Sequence, residues 1–406
     1  MKGLSRIAAG LALAFAAAQP ASAADIVVWH AYRGAEKAAF EKVVAAYNAR
    51  PGASGKATTL AVPYDAFADK ISAAVPRGKG PDVFIYAQDR LGGWIEAGNT
   101  VEPIDFYVDE AIRGRFIPTT VQALTYRGSL WGLPLNYKVV ALVYNKKLVQ
   151  EPPRTTADLV QVARKLTSKA SGRFGLAYPY ADFYYDSALF NGFGGGVFGQ
   201  GGKPTLDSPE NVKGLELLMR WVKKDGILPA EPSTALITAL FNEGKAAMVF
   251  SGPWFLGEVA AGIDVGIAQL PALSEAGGKP MRPWMTVEGV YVAAPSGNKD
   301  AAFDFVKYVT DLDAARTLAL EGRQSPANAK AYDDPKVASD VVLAGFRKQV
   351  EVAIPMPNVP EMTMVWSPAT TAMNTIIRGS ASPKEALARA QAQVVRDVAG
   401  LRKGGK

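Results

Sequence analysis

Seven tryptophans, fifteen tyrosines, one histidine and no cysteine set the chemistry open to this chain. Thiol nucleophiles and clustered His/Cys metal sites are excluded by composition alone. What the sequence offers instead is flat aromatic surface beside charged groups. The stretch 241–254, FNEGKAAMVFSGPW, reads as a helix end, a short apolar run at 246–250 and a Gly252-Pro253 turn that presents the indole of Trp254. Such a run, bounded by Gly244 and by Gly-Pro, favours a strand covered on both faces. In open α/β sheets ligands collect beyond the carboxyl ends of such strands, which is where Trp254 would sit. Taken alone, an indole after a turn is as readily a core anchor, because Trp is mostly buried in any fold.

Its partners decide between the two. The segments GKGPDVFIYAQDRLGGW at 78–94 and MPNVPEMTMVW at 356–366 have the same character. Together with WGLPLNYKVVALVYNKKLV at 131–149, they resemble the maltose/maltodextrin-binding proteins, the periplasmic sugar receptors of ATP-driven importers. The resemblance runs from Asp25 to about Val395, and long, ordered, mutually spaced motifs are a specific signal. It implies an α/β chain with a two-lobed periplasmic-binding-protein fold, type II and maltose-binding-protein-like, with a ligand cleft between the lobes. It also implies a monomeric receptor without cofactor or metal, which delivers a maltose/maltodextrin-like oligosaccharide to an inner-membrane permease coupled to ATPase subunits.

A free oligosaccharide is neutral, rich in hydroxyls and apolar on its ring faces. Its receptor needs aromatics for the faces and carboxylates, amides or guanidinium groups for the hydroxyls. The resemblance assigns both sets. Trp254 and Trp366 match two stacking tryptophans of the family, Tyr86 a third aromatic, Tyr184 and Tyr185 an aromatic pair, and Met356 an apolar contact. Asp89 and Arg90 match a hydroxyl-binding Asp-Arg pair, Asp182 replaces a glutamate, and Asp69 stands at a glutamate position just past a helix start. Each has a plainer reading: Asp89-Arg90 as a surface ion pair of little worth, Tyr86 as the inner face of a strand, Met356 as core filler. Trp29, Trp94, Trp131 and Trp284 are assigned mostly to the core.

Departures from the family bear on specificity. Lys138 stands where the maltose receptors carry a ligand-binding glutamate. A lysine donates but cannot accept, so it must face different oxygens or pair with a nearby acid. Tyr32 and Arg33 alter the first loop, Thr370 replaces an arginine and Ser367 an aromatic. Trp29-His30 followed by Glu36 is similar to receptors for other sugars and for glycerol phosphodiesters or glycerol phosphate, so another sugar or a glycerol phosphate is the alternative ligand. A periplasmic glycosidase is the enzyme alternative, with Asp89, Asp182 or Asp69 as acid and nucleophile. Arg90 and Lys138 argue against it, because neighbouring cations lower a carboxylate pKa and spoil a general acid.

The elements that must position these residues follow the doubly wound order. Strands are expected at 25–31, 58–63, 82–87, 139–144, 174–178 and 289–294, and helices at 36–48, 65–75, 157–166, 212–224, 236–242 and 298–309. A hairpin is expected at 125–131. Ser382-Pro383-Lys384-Glu385 is a capping box that opens a terminal helix. At 406 residues the chain exceeds one core, and the resemblance divides it into 25–136 with 288–337 as one lobe and 139–284 with 340–402 as the other. Residues 1–23 carry Lys2 and Arg6, an apolar stretch and Ala21-Ser22-Ala23, the pattern of a cleavable secretory signal, so a periplasmic protein is expected. No later segment is apolar enough to span a bilayer. The net charge of +7 is scattered singly among acids, without the stripe of a nucleic-acid face.

Overall fold

The computed structural model describes residues 24–404, so the expected signal segment lies outside it. Two sheets organise the chain. In the larger, the order is Ser325–Pro326, Leu133–Val139, Trp284–Val292, Val83–Ala87, Ala24–His30 and Gly55–Ala61, with Ile354–Pro355 pairing beside Trp284–Val292. The smaller runs Val265–Ala268, Ala141–Asn145, Ala246–Ser251, Phe174–Ala177. Every residue of Val83–Ala87, Trp284–Val292 and Ala246–Ser251 is buried, because layers cover both faces of these strands.

Helix Gly34–Ala49 shows why the covering layers form. Its buried residues Phe40, Val43, Val44 and Tyr47 recur at the spacing of one helix face, and they close over the larger sheet with Phe303, Phe305 and Val306 of helix Lys299–Val309. A second core gathers Tyr180, Phe183, Phe190, Trp221, Trp284 and Met356 around the smaller sheet. The expected capping box is formed: the Ser382 hydroxyl accepts from the Glu385 N–H at 3.3 Å, and the Glu385 carboxylate accepts from the Ser382 N–H at 3.0 Å. Asn298 stands at its helix start without making a side-chain cap.

Two strands differ from expectation for physical reasons. The single strand expected over 139–144 is two, Leu133–Val139 in one sheet and Ala141–Asn145 in the other, with the chain crossing at Val140. Both halves are buried, so the apolar run gives no sign of the break. The strand expected at 289–294 begins earlier, at Trp284, because Thr286 and Glu288 interrupt the apolar pattern while still lying in the ladder.

Gly92 joins two of the motif segments. Its N–H donates to the Asn358 carbonyl at 2.9 Å, and a Cβ there would stand 2.3 Å from that same oxygen. Asn358 in turn donates to the carbonyls of Ala123 and Thr125, next to the 125–131 hairpin. Gly92→Ala should therefore overpack this junction and destabilise the fold by about 1–3 kcal/mol. Urea denaturation measures it, and an unchanged midpoint would show that the junction yields freely.

Candidate functional site

Strands Ala24–His30 and Val83–Ala87 are parallel neighbours, and Phe174–Ala177 is parallel to Ala246–Ser251. Nine of the fourteen candidate residues follow their carboxyl ends. Tyr32, Arg33 and Glu36 follow the first strand, Asp89 and Arg90 the second, Asp182, Tyr184 and Tyr185 the third, and Trp254 the fourth. This is the ligand side of an open α/β sheet, present here twice.

An unbroken aromatic row ties the two outer tryptophans together. Ring centroids are 6.1 Å apart from Trp254 to Tyr184, 6.2 Å from Tyr184 to Trp284 and 5.9 Å from Trp284 to Trp366. Trp254 and Trp366 are half-buried, so each is packed along one side and open along another. The Trp254 indole N–H donates to the Tyr185 hydroxyl at 3.3 Å, and Tyr184 and Thr286 share a hydroxyl contact at 3.1 Å between the two sheets. The Trp366 Nε1 has no hydrogen-bond partner among the described residues. Trp284, assigned to the core, is buried there and also links the row.

Beside the row lies an ionic floor. The Lys138 ammonium is 3.0 Å from Glu288 and 3.4 Å from Glu36. Glu288 also accepts from the Tyr32 hydroxyl and the Asn136 amide, each at 2.8 Å. Burial disfavours the charge on Lys138, but Glu288 and Glu36 outweigh it and hold its pKa above the ordinary lysine range. Burial likewise works against Glu288, and Lys138 overcomes it, keeping that carboxyl below its usual value. Glu36 is the weaker partner: burial raises its pKa and Lys138 only partly offsets this. The lysine that reverses the family's charge is thus answered by acids nearby.

Several expected contacts stand elsewhere. Tyr86 is 5% exposed, stacked at 5.0 Å on Phe67 and on Tyr64, and Tyr64, 52% exposed, carries the open ring. Tyr32 is buried and supports Glu288 from below, with no face free in the cleft. Met356 is buried in the second core, where its carbonyl accepts from Gln88 at 3.1 Å. Asp69 lies between the fully buried Phe67 and Ile71 on its helix, so it points to the opposite, exposed side, apart from the cluster. Asp182 caps its helix, accepting from the Tyr184 N–H at 3.0 Å. Arg33 is exposed and pairs at 3.0 Å with Glu258, which follows Trp254 beyond the end of strand Ala246–Ser251. The lone His30 is fully buried, its Nδ1 accepts from the Tyr32 N–H at 3.1 Å, and burial lowers its pKa to about 4.

Sequence reasoning missed Tyr64, Thr286, Glu288 and Glu258. Glu288 left one signal: a lone acid within an otherwise apolar run. A separate groove of about 560 Å³ between helices Trp366–Ile377 and Pro383–Gly404 is lined by none of the aromatic or ionic side chains described above.

Asp89 is 5% exposed, with Arg90 3.3 Å away. Burial pushes its carboxyl up to about 6, against the pull of Arg90. The native state therefore binds a proton that the unfolded chain releases between about pH 4 and 6, and stability falls as pH rises through that window. Asp89→Asn should stabilise the protein at pH 7.5 by on the order of 2–3 kcal/mol and change little at pH 3.5. Melting curves at the two pH values check this, and equal shifts at both would contradict it.

The family described as bacterial extracellular solute-binding protein matches residues 31–316. A maltotriose-binding protein of Pyrococcus abyssi is 33% identical over 371 residues, which covers 89% of this chain and 78% of that one. A galactooligosaccharide-binding protein of Bacillus subtilis is 30% identical over 329 residues, 78% of this chain and 76% of the other. The structure of the Thermus thermophilus maltotriose-binding protein bound with maltotriose superposes with a TM-score of 0.83 at 30% identity, over 92% of this chain and 100% of that chain. With the match spanning both sheets and the cleft between them, this chain belongs to the bacterial extracellular solute-binding proteins.

Proposed function

We propose that the protein is the receptor of an ATP-driven importer and holds a maltodextrin-like oligosaccharide in the cleft. The observation that carries this reading is the aromatic row from Trp254 to Trp366, with the polar groups of Lys138, Glu36 and Glu288 beside it. Relatives that bind maltotriose support the choice of sugar. The charge pattern supports a neutral ligand. Arg33, Arg90 and Lys138 are each already paired with a carboxylate, and Glu36, Glu288, Asp89, Asp182 and Glu258 outnumber them. A phosphate ester entering here would meet these three cations already paired with carboxylates.

Binding without turnover follows from the same groups. Asp182 caps its helix, and Asp89, although burial raises its carboxyl, pairs with Arg90, so both carboxylates already have structural partners. The protein would be exported by segment 1–23, work as a monomer in the periplasm and present its closed form to a membrane permease. No helix among the described residues is long and apolar enough to cross a membrane. The two lobes would be 25–136 with 288–337 and 139–284 with 340–402, and a ligand touching both would shift the population towards closure.

Calorimetric titration with maltotriose tests the reading. Stacking an indole on a sugar ring is worth about 1.5–3 kcal/mol, so Trp254→Ala and Trp366→Ala should each weaken binding about tenfold or more. Affinity should hardly change with added salt, glycerol 3-phosphate should not bind, and maltoheptaose should be recovered uncleaved. Wild-type affinity in both tryptophan variants would sink the stacking role, and salt-sensitive binding of glycerol 3-phosphate would replace the sugar with an anion.

A further inference from the structure

Glu288 belongs to none of the sequence motifs, yet three groups of the floor converge on it. Strand Trp284–Val292 runs antiparallel to Leu133–Val139, with Thr286 opposite Lys138 and Glu288 opposite Asn136. The two-residue period of a strand therefore puts Asn136, Lys138, Thr286 and Glu288 on one face. One Glu288 oxygen, Oε2, accepts from both Tyr32 and Asn136, and the other, Oε1, takes the Lys138 ammonium. Both oxygens are engaged, and the side chain is only 8% exposed. Three of its roughly four lone-pair sites are filled, and little of it faces outward.

Its neighbours are more open. Lys138 and Glu36 are 15% and 19% exposed, roughly twice Glu288, so the cleft reaches them first. An ammonium has three N–H groups, and two are directed at Glu288 and Glu36. Glu36 meets Lys138 through Oε1, leaving Oε2 as an acceptor. Without the charge of Glu288, the ammonium would have one carboxylate partner, would be drawn onto Glu36 and would occupy its oxygens. Glu288 thus keeps donor and acceptor apart.

We propose that Glu288 is a positioning residue for ligand specificity: by anchoring the Lys138 ammonium, it leaves one Lys138 N–H and one Glu36 oxygen side by side to read two adjacent hydroxyls of a single sugar ring. Each hydroxyl can donate and accept, so a vicinal diol matches this pair, while a ring lacking either hydroxyl strands a buried charged group. The inference rests on the oligosaccharide reading above and deepens it by assigning the discrimination to a residue that does not touch the ligand.

The test is a cycle between protein and ligand, using Glu288→Gln with maltotriose, maltose and the monodeoxy maltoses, one hydroxyl removed at a time. In the wild type, removal of either of two neighbouring hydroxyls should raise Kd tenfold or more relative to maltose. In Glu288→Gln, maltose and maltotriose should bind at least tenfold more weakly, and the penalty for those two deoxy sugars should vanish. Should that variant fail to fold, Lys138→Met must erase the same penalty. A variant that weakens every ligand equally, with the deoxy penalty intact, would reduce Glu288 to a structural role and overturn the proposal. So would a wild type that binds maltotriose but discriminates no adjacent pair of hydroxyls. A wild type that binds no maltodextrin at all would instead sink the parent reading, and this one with it.

Discussion

A lysine held between two glutamates at the base of a cleft is tolerable only if every charge is answered. Removing an ion from water costs several kcal/mol, and breaking one partner of a buried pair leaves that cost uncompensated. The strand Trp284–Val292 meets this condition. It brings Glu288 against Lys138 from the adjoining strand, and Tyr32 and Asn136 complete the carboxylate. The same strand begins with Trp284, which packs in the second core and links the aromatic row, while Gln88 accepts from its Val287 N–H at 2.8 Å and donates to Met356. One strand thus holds the ionic floor, the aromatic row and the junction of the two cores in register.

The elements around the two sheets meet through contacts of different strength. Tyr184 and Thr286 touch at the floor, where water is scarce, and Trp284 wedges between Tyr184 and Trp366. At the rim, Arg33 and Glu258 form an ion pair that is largely open to solvent. Exposed pairs contribute roughly 0–1 kcal/mol, so the rim cannot hold the lobes shut by itself.

Much of the site was legible because its residues sit at the ends of strands with strong apolar signatures. Trp254 follows AAMVFS and Asp89-Arg90 follows VFIYA, and in each case the buried strand aims the next residues at the cleft. Tyr86, Tyr32 and Met356 lie in the buried layer, which the sequence does not show for a shared reason: aromatic and thioether side chains serve a core as readily as a ligand, and spacing cannot tell which side of the last buried layer they occupy. Asp69 stands apart from the cluster for a different reason, since a motif position fixes a place along a helix and says nothing of its face until the neighbouring Phe67 and Ile71 are seen to be buried. Tyr64 was passed over because it precedes a helix start, although that position lets its ring lie over Tyr86.

The sequence by itself determined the class of the chain, the alternation of its elements, the capping box at Ser382 and the convergence of aromatics with charged groups. These are local matters of period, turn chemistry and motif spacing. Only the tertiary structure decided what Lys138 does, because its partners Glu36 and Glu288 lie about 100 residues before it and 150 after it and meet it through the first turn of a helix and a strand register. Registers are set by packing on both faces of a sheet, and no short stretch of sequence contains that information. The same holds for the row from Trp254 to Trp366, whose member Trp284 looked like core and whose continuity depends on a strand and three helices that are far apart in sequence.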